Sequence, residues 1–190
     1  MKVIYGKVIL YAYAHLMAIA NQIDEVVEKK AFSSYMDYSP AINQFESIIG
    51  LTEQKKSIFA LKLTADEALK GFTDSEKDCL DYKYFHLKPK EYYIDFDASS
   101  RGYFRKQIRL AEKFAERMER AGYSDKRFKT ECLTMDFFKE MLSRVKEKEN
   151  LNRKNKSEKE KEQIKRLKQK IAQNSAKTRP QEQSGVDVSA

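Results

Sequence analysis

From Phe104 to Met118 the apolar residues Phe104, Ile108, Ala111, Ala115 and Met118 recur at spacings of four, three, four and three. That spacing gathers side chains on one side of a helix and on no single side of a strand. Similar periods run through most of the chain, and only six Gly and three Pro punctuate its 190 residues. No sustained apolar–polar alternation competes with them. An apolar content of 41% is enough to close a core. The pattern predicts an all-α protein.

The first long helical pattern runs from Lys2 to about Lys30 and is apolar nearly all round from Val8 to Ala20. A run of about 13 residues is short of the roughly 20 needed to cross a bilayer. A signal peptide is the competing reading, with Lys2 and Lys7 ahead of the apolar run and Ala18-Ile19-Ala20 after it. Tyr5 stands just ahead of that run, Tyr11, Tyr13 and His15 interrupt it, and Ile23, Val26 and Val27 keep the helical period beyond it. A core or oligomerisation helix is therefore expected, with no membrane span. After a connection at Ala31–Pro40, a short helix is expected from Ala41 to about Leu51, with Ile42, Phe45, Ile48 and Ile49 inward and Gly50 near its end. Another is expected from Gln54 to Leu69, with Ile58, Leu61 and Leu69 inward. Thr73-x-x-Glu76 has the form of a capping box, in which each side chain bonds the other residue's backbone N–H. The helix that it opens should point Cys79, Leu80 and Tyr84 inward as far as Phe85.

Lys88 to Gly122 reads as a short helix, a tight turn and a long helix. Pro89 suits a first helical position, where its missing N–H costs nothing. The short helix runs from Lys90 to about Phe96. Asp97-Ala98-Ser99-Ser100 is turn chemistry, with Ser99 or Ser100 as the cap of the next helix. The long helix runs from about Arg101 to Ala121 and stops at Gly122. Its charge is uneven. Arg101 to Leu110 holds four basic residues and no acid, whereas Ala111 to Arg120 holds three of each sign. Arg101, Arg105 and Arg109 are spaced by four and form one stripe. The first turns would thus present cations over a buried Phe104 and Ile108. A helix of this kind suits the major groove of DNA, where arginine reads guanine and flanking groups hold phosphates. An amphipathic surface helix with an excess of Arg is the plainer reading of the same pattern.

The residues FTDSEKDCLDYKYF (72–85), EYYIDF (91–96) and ASSRGYFRKQIRLAEKF (98–114) resemble region 4 of bacterial sigma factors. They are most similar to the sigma-region-4-like regulators of phages and mobile elements, the ArpU-type and RinA-type late-transcription activators. Ser99, Arg101, Tyr103, Phe104 and Arg105 occupy the slots of that pattern. Asp97 departs from it where Gly is usual, and Tyr93 where a small residue is usual. The resemblance covers about a quarter of the chain. It implies a helix-turn-helix in which Arg101, Gly102 and Arg105 face base edges and Ser99, Ser100, Lys106 and Arg109 hold phosphates. It also implies contact with RNA polymerase and a gene carried by a phage or mobile element. The division it suggests is an N-terminal helical region (1–71), a helix-turn-helix region (72–142) and a tail (143–190).

Tyr82, Tyr84, Tyr92 and Tyr93 lie close together; core packing is the expected role, ahead of a stacking platform for single-stranded nucleic acid. Asp125, Lys126 and Arg127 read as a solvated helix start. From Ser143 onward the chain carries 14 basic and 7 acidic residues, leaving 23 basic and 22 acidic before it. The net charge of +8 is thus mostly a property of the tail and says little about the fold's partner. Ser157-x-x-Glu160 suggests a second capping box and a single exposed helix, with disorder from Ser175 to Ala190. Cys79 and Cys132 lack metal-ligand spacing and read as buried thiols of a cytoplasmic protein. No metal, cofactor or catalytic motif is evident, so an enzyme is not expected. The expected function is a sequence-specific DNA-binding transcription regulator acting on double-stranded DNA. The alternative is a helical protein–protein adaptor or structural oligomer, a homo-oligomer built through the apolar N-terminal helix, that binds no DNA.

Overall fold

The computed structural model describes residues 1–33, 41–85 and 100–177. The described residues are all-α, with no strand among them. They form seven α-helices, in order α1 (Val3–Tyr13), α2 (Leu16–Ser33), α3 (Ala41–Lys70), α4 (Asp74–Leu80), α5 (Ser100–Arg120), α6 (Asp125–Glu131) and α7 (Asp136–Lys177). A π-helical turn, Asp81–Phe85, continues α4. Residues Met1–Lys146 form one compact unit and Glu147–Ala190 a second. The regions expected at 1–71 and 72–142 share the first unit and one core.

The N-terminal pattern is two helices, not one. α1 and α2 meet at Ala14–His15 with a bend of 69°. No Gly or Pro marks this break; tertiary packing turns the chain. Among the described residues no single helix is long and apolar enough to cross a membrane. α1 is apolar all round because it is surrounded. Val8, Ile9, Leu10 and Ala12 are fully buried. Tyr5 meets Phe128 of α6 at 4.9 Å between ring centroids, and Tyr11 meets Tyr84 at 4.7 Å. A Cβ added at Gly6 would lie 3.1 Å from Ala115 Cβ, so a hydrogen is what lets α1 and α5 approach this closely. The apolar residues of α1 therefore face their own chain, whereas Met17, Val26 and Phe32 of α2 are exposed.

α2 and α3 pack together, and Leu16, Ala20 and Ile23 of the one and Ile58, Leu61, Ala65 and Ala68 of the other are buried in one core. α3 is one helix of 30 residues where the sequence predicts two. Gly50 does not end it; the cost of an interior Gly, about 1 kcal/mol, is small beside the packing of so long a helix. The inward assignment of Ile42, Phe45 and Ile49 is also corrected: all three are exposed.

The capping box at Thr73 forms as the sequence predicts: Glu76 N–H donates to Thr73 Oγ1 at 3.4 Å, and Thr73 N–H donates to Glu76 Oε2 at 2.9 Å. Cys79, Leu80 and Tyr84 are buried, as expected. Gly122, at φ 82°, ends α5. Its N–H donates to the Glu119 carbonyl at 3.0 Å, and Tyr123 N–H donates to the Met118 carbonyl at 2.9 Å. Tyr123 and Met118, both fully buried, close the same turn from inside. Ser124 caps α6, accepting from Arg127 N–H at 3.3 Å. Phe138, Leu142 and Val145 of α7 complete the core, which places the end of the first unit at Lys146 instead of Leu142.

Within the second unit, helix continues to Lys177, and Leu151 and Ile164 are exposed. Arg166 donates to Glu162 at 2.6 Å, one turn away. Ser157 lies inside the helix and opens no new one. Most of the segment expected to be disordered, from residue 178 on, lies outside the described residues, as do Tyr92 and Tyr93.

Candidate nucleic-acid interface

α5 begins at Ser100 with no acid in its first turn and keeps its helical period for 21 residues. The end of a helix with unpaired N–H groups carries partial positive charge. The short helix expected at Lys90–Phe96, its turn at Asp97–Ser99 and the Ser99 hydroxyl lie outside the described residues. Ser100 and Arg101 fall in the first turn of α5, but their side chains also lie outside the described set. Gly102 comes next, half-buried.

Arg105 and Arg109 are exposed on one side of α5, four residues and about 6 Å of helix rise apart. Neither is in an ion pair with a described residue. The later cations of the same helix are engaged. Lys113 Nζ lies 2.6 Å from Glu76 Oε2 and 4.6 Å from the centre of the Phe72 ring. Arg117 Nε donates to the Ala68 carbonyl at 2.7 Å. Arg120 lies 3.6 Å from Glu116. Lys106 stands apart from Arg105 and Arg109: its Nζ donates to Ser75 Oγ at 3.2 Å and so faces α4.

Helix α4 and the π-helical turn account for this division. They lie on the side of α5 that carries Tyr103 and Lys106, and Gln107 on the same helix is buried although polar. Burial pushes the Cys79 thiol up, while the Lys106 and Lys83 charges pull it down. Burial likewise raises the Tyr103 hydroxyl. Among the described residues the opposite side of these turns is open. Phe104 is 58% exposed and Ile108 51%, so the expectation of a buried Phe and Ile under the cations is overturned. The predicted stripe is continuous, but burial along it begins at Ala111, where α1 comes close. Sequence reasoning also missed the exposure of these two apolar groups beside Arg105 and Arg109. Periodicity says which residues share a face; it does not say how far a neighbouring element reaches along it.

Geometrically, the open side of α5 can offer two guanidinium groups one turn apart, flanked by Phe104 and Ile108. Arginine forks suit guanine edges and phosphate oxygens alike. The chain matches no protein-family model, no curated protein and no solved structure. The likeness to sigma region 4 therefore rests on the residues quoted for it.

Proposed function

We propose that this chain is a cytoplasmic DNA-binding transcription regulator that lays the first turns of α5 in the major groove. The observation that carries this reading is the pair Arg105 and Arg109, exposed together and without a carboxylate partner among the described residues, on a helix whose later cations are engaged. Arg105, with Arg101 and Gly102, reads base edges. Arg109 holds a phosphate, with Ser99, Ser100 and Lys106 assigned to the same task; Lys106 must leave Ser75 to do so. Contact with RNA polymerase and a phage or mobile-element origin rest on the resemblance alone. The reading contains no catalytic step.

A duplex pool of mixed sequence, titrated across a salt series, tests it. Arg105→Ala should flatten sequence selection by about 1–3 kcal/mol. Arg109→Ala should weaken all sequences alike and lower the salt slope by about one. Equal binding by wild type and the double variant would remove the proposal. A helical adaptor without DNA binding is the second reading, and the exposed apolar residues of α3 favour it.

A further inference from the structure

α3 is apolar on two opposite faces. Ile58, Leu61, Ala65 and Ala68 point into the core. On the far side, Ile42 (65% exposed), Phe45 (68%), Ile49 (50%) and Leu63 (70%) stand in solvent, and Phe59 is exposed to 37% with Lys55 Nζ 5.6 Å from its ring centre. Thr52 and Lys56 fill the gap between them, and both are exposed. Positions 42, 45, 49, 52, 56, 59 and 63 keep an unbroken three–four alternation, the spacing of a seam between two helices. Single exposed apolar residues are ordinary; five large ones on one helical line are not. Gly50 beside this line has nothing within 4 Å of where its Cβ would stand.

We infer that the outer face of α3 is the dimer interface of this protein, and that its occupant is the same face of a second copy, running antiparallel. The seam reads nearly the same from both ends: apolar groups outside, polar groups at the centre. Antiparallel knobs-into-holes packing about a two-fold axis at Gln54 sets Phe45 against the partner's Leu63 and Ile49 against the partner's Phe59. Thr52 then meets the partner's Lys56. Repeated by the symmetry, this gives four apolar layers around two polar ones, as an isologous interface requires.

Charge chooses the direction. A parallel pair in register would stack Lys56 on the partner's Lys56 within the seam. The antiparallel pair instead places Lys56 beside the partner's Glu53, twice, on either side of the axis. Both residues are exposed, and neither has a described ion-pair partner within its own chain. The flanking cations on the other edge are already engaged by their own chain: Lys55 lies 2.5 Å from Asp24, and Lys62 lies 2.6 Å from Asp66. This inference does not depend on DNA binding.

The test is sedimentation equilibrium of the full chain, with circular dichroism as the check that each variant keeps its helix content. Wild type should sediment as a dimer, and Phe45→Glu/Leu63→Glu as a folded monomer. Lys56→Glu and Glu53→Lys should each weaken the dimer by at least about tenfold, because each sets like charges together across the seam. An equimolar mixture of those two variants should recover the dimer, since Glu at 56 of one chain then faces Lys at 53 of the other. Recovery on mixing cannot come from a folding defect. A wild type that stays monomeric at its highest soluble concentration overturns the inference. So does a dimer that survives Phe45→Glu/Leu63→Glu, or two charge variants that remain monomers when mixed.

Discussion

The two ends of α5 carry the same stripe and the same kind of cation but have opposite surroundings. At the far end Ala111, Ala115 and Met118 are buried, Lys113 is paired with Glu76, and Arg117 is tied to the Ala68 carbonyl. At the near end Phe104 and Ile108 are exposed, and Arg105 and Arg109 have no described ion-pair partner. One helix thus serves as a core element over its last turns and as a presenting surface over its first. The difference comes from the neighbours. α1, α3 and α4 reach the far end at Ala115, Arg117 and Lys113, whereas among the described residues α4 meets the near end only on the side of Lys106.

Substitutions of like residues should separate the two ends. Phe114→Ala should cost about 3–5 kcal/mol of stability, because a fully buried ring leaves a cavity. Phe104→Ala should stay within about 0.5 kcal/mol of wild type in the same urea melts. Equal costs would mean that the near end is covered after all. Gly6→Leu should cost about 1–3 kcal/mol, because its side chain must enter the contact with Ala115 at the far end. Thermal melts would report it, and DNA binding below the melting temperature should hold if α5 acts from its near end.

The smallest effect concerns pH. Partial burial pushes Glu76 up, but the bonds from Lys113 and the Thr73 N–H outweigh it and hold the carboxyl below the usual glutamate value of 4.5. A carboxyl with a lowered folded pKa stabilises fully above its unfolded pKa, and that contribution is lost as pH falls through the lowered value. Stability should therefore fall on acidification below about 4.5, and Glu76→Gln should flatten that part of the curve. An unchanged acid limb in Glu76→Gln would show that the link to α5 contributes nothing to folding.

How much of the molecule is legible in its sequence depends on how local the cause is. The capping box at Thr73 and the stop at Gly122 are set by residues within one turn, and both form as their residues predict. Cys79 and Cys132 read as buried from residue type and surroundings, and both are buried free thiols. Burial pushes the Cys132 thiol up to about 12. The break at Ala14–His15 is not legible, because every residue around it is a tolerable helix former and the bend is imposed by packing. Gly50 misleads in the other direction, its cost being too small to end α3. Val145 looks like part of the charged tail because Lys and Arg surround it in sequence, although it is the last buried residue of the first unit. The outward turn of Ile42, Phe45 and Ile49 cannot be read at all: an apolar residue in a sequence does not say which of two apolar faces meets its own chain.

That ambiguity has a consequence for how the chain finds its fold. A helix with greasy residues on opposite sides can collapse onto α2 by either side, and hydrophobic contact alone distinguishes the two poorly. The distinction lies in polar groups at the edge of the correct face. Lys55 meets Asp24 of α2, while Lys62 meets Asp66 and lies 4.3 Å from the centre of the Tyr13 ring. Half a turn of α3 would swing both lysines away from Asp24 and Tyr13. These partly exposed pairs are worth little as stabilisers, yet they mark the correct face of α3, and their removal should slow correct docking more than it weakens the finished structure.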